Sequence, residues 1–153
     1  MFYDAEGQPW FPLDELRNDV PLERISPFFK DAVIAIEDHR FYHHPGIDPI
    51  GLTRAVVVNV RSGAAGQGGS TITQQLARNM FLTDQMLEEQ QTRQRSYGRK
   101  ILEQFMSVVL ETKATKDDIL ELYLNDVYLG HRGSFALHGV AEASKIYFAK
   151  DVR

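Results

Sequence analysis

The run Ala32-Val33-Ile34-Ala35-Ile36-Glu37-Asp38-His39-Arg40-Phe41-Tyr42-His43-His44-Pro45-Gly46 decides how the rest of this chain is read. An apolar stretch suited to a core ends in two adjacent carboxylates. Arginine, aromatic residues, histidines and a Pro-Gly stop follow at once. Desolvating a charge is costly, so an acid at the end of a buried element calls for a partner or a use. The segment reads as a helix that starts at Ser26-Pro27, with serine at the cap and proline in the first turn, and runs to about His39 or Phe41. Glu37 would then stand near a helix C-terminus, at the edge of a cleft and beside Asp38. Helix dipole, partial desolvation and like charge would all favour proton uptake there, which suits a general base. A structural reading competes on equal terms: Glu37 as a cap paired with Arg40 or a histidine.

Outward from this run the chain reads as a series of helices. Asp48-Pro49 repeats the start signal and leads through Leu52, Val56, Val57 and Val60 to Gly63. The glycine-rich run from Gly63 to Gly69 cannot hold a helix and is expected to be a flexible loop. From Ser70 a short helix carries Ile72, Leu76 and Met80 at helical spacing. The polar stretch from Asp84 to Gly98 reads as a solvated, mobile helix or loop. Ile101, Leu102, Phe105, Met106, Val108 and Val109 form a wide apolar stripe, expected on a buried helix. Thr115-Lys116-Asp117-Asp118 is an N-cap with acids in the first turn, opening Ile119 to Leu124. A last helix is expected from about Ser134 to Phe148. Before all of these, Met1 to Asp19, with Asp4-Ala5-Glu6-Gly7, reads as a short strand-turn and loop. The fold class is therefore mainly α, with a short N-terminal strand segment.

At 153 residues the chain is expected to form one domain, 1–153, with a real core. Apolar content of 43% and charged content of 25% exclude wholesale disorder. A net charge of −4 argues against a general nucleic-acid binder, which needs basic surface. With no cysteine there is no disulfide framework and no thiolate metal site. No run approaches the ~20 apolar residues of a membrane span. The chain reads as soluble, or as a piece of something anchored.

Three further groups carry chemistry. Glu103 has Arg99 at i−4 and Lys100 at i−3 on the same helix face. Two cations would hold the glutamate ionised and offer a site for an anion such as phosphate. The competing reading is a surface ion pair of little worth. Ser70-Thr71-Ile72-Thr73-Gln74-Gln75 opens a helix after the glycine run, where free N–H groups, hydroxyls and amides can bind an anion or sugar hydroxyls. A plain serine cap is the alternative, and without Gly-Lys-Ser/Thr it is no P-loop. His39, His43, His44, His131 and His138 lack a His-Glu-x-x-His arrangement, so hydrogen-bonding or surface histidines fit better than a metal site.

The order of these signals is specific. Glu37, Asp38, Phe41, His44 and Gly46 match Glu-Asp-x-x-Phe-x-x-His-x-Gly, and Gly68 through Gln75 match Gly-x-Ser-Thr-Ile-Thr-Gln-Gln. Arg99, Lys100 and Glu103 give Arg-Lys-x-x-Glu. Lys116, Ile119, Leu120, Tyr123, Leu124 and Asn125 give a fourth motif, and Gly139, Ala143, Tyr147 and Phe148, preceded by Arg132, a fifth. Over nearly its whole length the chain resembles the peptidoglycan glycosyltransferase family (glycosyltransferase family 51), the transglycosylase module of class A penicillin-binding proteins and monofunctional cell-wall polymerases. The spacing between Arg132 and Gly139 is longer than the family pattern. Fifteen residues between Thr83 and Arg99 suggest an insertion.

The resemblance implies a lysozyme-like helical fold and polymerisation of lipid II at the outer face of the bacterial cytoplasmic membrane. An acceptor 4-hydroxyl would attack C1 of the growing chain, with inversion and loss of undecaprenyl pyrophosphate. Glu37 would be the base. Arg99, Lys100 and Arg78 would meet the pyrophosphate, and Glu103 would orient them or hold a divalent cation, Mg2+ or Mn2+. Ser70, Thr71, Gln74 and Gln75 would line the donor side, Asn125 would support the cleft, and Asp38, Phe41 and His44 would also contact substrate. His44 and Gly46 become parts of the turn that aims Glu37. Expected partners are lipid II, the growing glycan, the membrane surface and moenomycin-type inhibitors, with no nucleic acid. The resemblance also implies a module truncated at both ends, without the Ser-x-x-Lys of a transpeptidase. A lysozyme-like hydrolase or lytic transglycosylase, and a non-catalytic fragment that binds lipid II or moenomycin, are the competing functions.

Overall fold

A computed structural model describes residues 2–3, 9–11, 18–63, 68–92, 97–132 and 135–153. Among these the architecture is mainly helical, as expected. An antiparallel hairpin of β1 (Phe2–Tyr3) and β2 (Pro9–Phe11) comes first, with the expected Asp4–Gly7 turn outside the described residues. Then follow α1 (Pro27–Glu37), α2 (Pro49–Ser62), α3 (Ile72–Phe81), α4 (Thr83–Thr92), α5 (Tyr97–Lys113) and α6 (Lys116–Asp126). The chain closes with a second hairpin, β3 (Tyr128–Arg132) and β4 (Phe135–His138), and α7 (Val140–Phe148).

Local chemistry accounts for most boundaries. Asp48 accepts from the Ile50 amide with Pro49 at the first helical position, and α2 ends at Gly63 in the left-handed region (φ 66°). Thr115 and Asp118 form a reciprocal capping box for α6. The same device starts α3, but one residue later than expected: Thr71, not Ser70, is the cap, paired with Gln74. α1 ends at Glu37, short of His39, and Ser26 makes no side-chain cap bond; a 3-10 turn over Phe41–His43 carries the chain onward. α4 occupies much of the stretch expected to be mobile, while 93–96 and most of the glycine run, 64–67, lie outside the described residues.

The core sits where α3 and α6 meet. Ile72 and Leu76 from α3 pack with Ile119, Leu120, Tyr123 and Leu124 from α6, joined by Phe41, Ile25 and Val140. Truncating one of these, for example Leu120 to alanine, should cost about 2–5 kcal/mol through lost burial and the cavity left behind.

Three expectations are corrected. Phe135–His138, expected to open the last helix, is instead a strand paired with Tyr128–Arg132, and the helix begins only at Val140. Gly139 makes the turn between them at φ 78°, and a Cβ there would stand 2.8 Å from the Asn125 carbonyl oxygen. The apolar run of α1 only flanks the core: Phe29, Val33 and Ile34 pack against it partly buried, none of the helix's residues is fully buried, and Ile36 is 81% exposed. The apolar stripe of α5 also faces outward, with Ile101 68% and Phe105 63% exposed, whereas Glu103 and Ser107 are buried. The inner face of α5 is the polar one because α3 and the residues leading into it lie against it and supply hydrogen-bonding partners: Glu111 accepts from Thr73 of α3, and Lys100 reaches Ser70 just before it.

Gly46 sets the closest approach of the turn to α5. Its φ is +89°, and a Cβ would fall 2.8 Å from the Ser107 carbonyl oxygen. Gly46→Ala therefore combines backbone strain with a backbone clash. A destabilisation on the order of 3 kcal/mol is expected, read as a lower denaturant midpoint with unchanged slope.

Candidate functional site

The two carboxylates that end α1 part company. Asp38 is buried: its oxygens lie 3.1 and 2.9 Å from His44 Nε2, and Oδ2 also accepts from the Ile72 backbone N–H at 3.1 Å. The Gly46 amide donates to His44 Nδ1, so Nε2 carries the proton that is given to Asp38. Thr71 Oγ1 donates to the Gly46 carbonyl at 2.6 Å. Lys116 Nζ donates to the His44 carbonyl, pairs with Glu111 at 2.6 Å, and lies 4.4 Å from the centre of the buried Phe41 ring. Glu111 accepts from Thr73 as well. The turn 38–46 is thus tied to the start of α3 and to α6 through side chains that are almost all out of solvent.

Glu37 points the other way. It is exposed, and Gln75 Nε2 donates to its Oε2 at 3.0 Å. The desolvation expected from sequence is therefore not there, and neither expected capping pair forms. Arg40 lies instead 3.3 Å from Asp48, and His39 faces Arg54. Burial opposes ionisation of Asp48, but the Gly51 amide and the Arg40 guanidinium outweigh it and hold that carboxyl below its usual range. Tyr123 OH in turn donates to Gln75 Oε1 at 3.4 Å. Burial first, and the charge of Glu37 second, raise the Tyr123 phenol far above its ordinary value, so it stays a donor.

A cleft of about 350 Å³ opens at Glu37. Its walls include Asp38, His39, Arg54, Ser70, Thr71 and Gln75. Ser70 connects this cleft to the third motif. Lys100 Nζ donates to Ser70 Oγ at 2.9 Å and also pairs closely with Glu103. Arg99 binds the other Glu103 oxygen at 3.0 Å and Glu89 at 2.8 Å. The Glu89 bond, chiefly, raises the Arg99 guanidinium further. Glu103 is only 1% exposed, so the surface-pair reading is wrong: this is a buried carboxylate holding two cations, one of which, Lys100, bonds Ser70 in the cleft wall. A larger cavity of about 440 Å³ near Arg24, Lys145 and Val152 contains none of the expected site residues.

Not every expected site residue reaches the cleft. Gln74 and Phe41 are buried; Gln74 folds back on the Thr71 backbone as half of the capping box. Asn125 holds the N-terminal segment instead, accepting from the Val20 N–H at 2.9 Å and donating to the Val20 carbonyl at 3.0 Å. Asp38, His44 and Thr71 act as a frame, since their polar atoms are engaged with one another and with backbone. Arg78 stands within the electrostatic reach of Tyr123, and its buried Nε has no hydrogen-bond partner among the described residues. The side chain of Arg132 is outside the described residues. Sequence reasoning missed Glu111, Thr73 and Tyr123 as contributors. Glu111 was open to detection, because Lys100, Glu103, Ser107 and Glu111 recur at helical spacing and mark a polar inner face.

The residues do not fit a divalent ion held by this chain at Glu103. Both of its oxygens are taken by cations, and among the described residues no three histidine or carboxylate side chains gather at one point.

Comparison with known proteins identifies the family. Residues 7–153 match the family described as Transglycosylase. The chain is 46% identical over 153 residues to penicillin-binding protein 1A of Escherichia coli, covering 99% of this chain and 16% of that protein. It is 43% identical over 140 residues to penicillin-binding protein 1B of Haemophilus influenzae, covering 92% of this chain and 17% of that one. With penicillin-binding protein 1A of Aquifex aeolicus the identity is 42% over 151 residues, 98% of this chain and 19% of the relative. The chain thus spans less than a fifth of the length of these relatives. A match that runs over almost every residue, and takes in the Glu37 turn, the Thr71 cap and the Glu103 cluster together, places the chain in the transglycosylase family.

Proposed function

We propose that this chain is a peptidoglycan glycosyltransferase that joins lipid II units into β-1,4-linked glycan with inversion and release of undecaprenyl pyrophosphate. The observation that carries the reading is one cleft with an exposed, oriented carboxylate, Glu37, and a serine, Ser70, bonded to the Lys100–Glu103–Arg99 cluster. A sugar hydroxyl is a poor nucleophile and needs a base at the moment of attack, which is the role of Glu37. The departing pyrophosphate needs fixed positive charge, which Lys100 and Arg99 supply, with Arg78 as a further cation on α3. Glu103 keeps those two cations aimed by binding both, and no step requires it to change protonation. We assign the leaving-group charge to these side chains rather than to a divalent ion held by Glu103.

The hydrolase reading fits less well. A lysozyme-type site uses two carboxyl groups about the scissile bond. Here the second carboxylate is buried and tied to two cations, which suits an anionic leaving group. A non-catalytic binder of lipid II or moenomycin would use the same residues, and turnover separates it from the enzyme.

The apolar surface supports a lipid-linked substrate and work at the outer face of the cytoplasmic membrane. Of the fourteen residues of α2 only Ala55 is buried, and Val60 is 78% exposed. Ile50 and Val56 on α2, Phe28 and Ile36 on α1, and Ile101 and Phe105 on α5 are also in the open. Exposed apolar side chains on this scale mark a contact with lipid or a partner. From those exposed side chains we infer contact with the membrane surface by these helices; no helix of the described residues is long and apolar enough to cross a membrane.

Polymer formation from lipid II tests the chemistry. Glu37→Gln should lower the rate by about 100-fold or more, and Lys100→Ala by roughly 100-fold, with folding intact by circular dichroism. Full activity in Glu37→Gln would refute the base assignment. Soluble muropeptides released from purified peptidoglycan in a Glu37-dependent way would replace the polymerase with a hydrolase. Phe105→Glu should weaken sedimentation with phospholipid vesicles by about tenfold while leaving the thermal midpoint within a degree or two, since a mostly exposed side chain adds little to folding.

A further inference from the structure

Tyr123 is the one buried hydroxyl of α6 whose bond leads toward the cleft. Its neighbours on the helix, Ile119, Leu120 and Leu124, are core residues, and its ring shares that core. The Tyr123–Gln75 pair and the Glu37 contact together leave Gln75 with one orientation. The Gln75 carbonyl faces a hydroxyl that can only donate to it, and the Gln75 NH2 faces a carboxylate that can only accept. With the amide turned over, its carbonyl would oppose the Glu37 carboxylate, acceptor to acceptor. Glu37 therefore sets the orientation, and Tyr123, whose hydroxyl could serve either end, anchors the carbonyl end in place.

We propose that Tyr123 is a positioning residue for Glu37, acting through Gln75. It anchors the Gln75 amide at its carbonyl so that the N–H bond of that amide holds the exposed carboxylate at the cleft. Glu37 needs such a hold because it is on the surface, at the last residue of a helix with no fully buried side chain. Left alone, a glutamate there would spread over its rotamers, and a base misplaced by an ångström loses much of its effect. The hold comes from a rigid place: α3 and α6 pack directly on each other around Leu76 and Leu120. The chain Tyr123–Gln75–Glu37 thus transmits the order of the core to a group in solvent. This rests on reading Glu37 as the base.

Two measurements test it separately from that reading. In the first, Tyr123→Phe is made alone and in a Gln75→Ala background, and polymerisation of lipid II is followed at varied substrate. Tyr123→Phe alone should lower kcat about fivefold with KM within about twofold, the size expected for one hydrogen bond. In the Gln75→Ala background it should cost less than about twofold more, because the link is already cut. Equal losses in both backgrounds would overturn the proposal, since a general packing defect would act regardless of Gln75. The second reads the amide itself: the side-chain NH2 resonances of Gln75, assigned by their loss in Gln75→Ala. They should shift in both Tyr123→Phe and Glu37→Gln. If they move in neither, the relay does not exist, whatever the activity. If they move in both while the unsubstituted chain makes no polymer, the relay stands and the base reading falls.

Discussion

The structure hangs on the burial of Asp38. One carboxylate reaches the imidazole of His44, six residues on, and the backbone N–H of Ile72 at the start of α3. These contacts join the end of α1, the 41–46 turn and α3 at a single point. A buried charge is tolerated only when its lone pairs are filled, and here they are. Removing His44 would leave the buried Asp38 carboxylate short of its main partner, a loss of about 3–5 kcal/mol. The exposed position of Glu37 is the other side of the same constraint. Once Asp38 is pulled inward, its neighbour is carried to the cleft.

The second fixed point is α5, turned with its polar side in. Its buried face runs through Glu103 and Ser107, with Lys100 and Glu111 at the same spacing, and each reaches a different part of the site. Lys100 meets Ser70, Ser107 lies against Gly46, and Glu111 binds Thr73 and Lys116. A polar seam of this kind is more demanding than an apolar one, since every donor and acceptor must find its match. It also frees the apolar stripe for the surface. One rotation of one helix therefore both builds the cationic cluster and exposes Ile101 and Phe105.

Much of this was legible in the chain. The helix starts at Pro49 and Thr115 and the stop at Gly63 were open to reading because capping and φ preference are local. So was the grouping of Glu37, Ser70, Arg99, Lys100 and Glu103, whose order carried the family resemblance. The burial of α5 was read the wrong way round, because an apolar stripe says that a helix is amphipathic but not which neighbour it meets. The β3–β4 hairpin was missed: its short runs around Gly130 and Gly133 carry no clear alternation, and pairing with a partner strand, not propensity, makes them strands. Asn125 was assigned to the cleft on resemblance alone, and the fold gives its amide to Val20.

By itself, then, the sequence determined where most helices begin and which reactive groups the domain owns, since both follow from residue type and short-range spacing. Only the tertiary structure decided which of two adjacent acids is solvent-facing, and whether Glu103 is a surface ion pair or a buried anchor. Those outcomes depend on what packs opposite each side chain. Glu37 and Asp38 have nearly the same chemistry and adjoining positions. Their roles differ because Asp38 turns to the amide of Ile72 and the ring of His44, while Glu37 turns to Gln75 in the cleft.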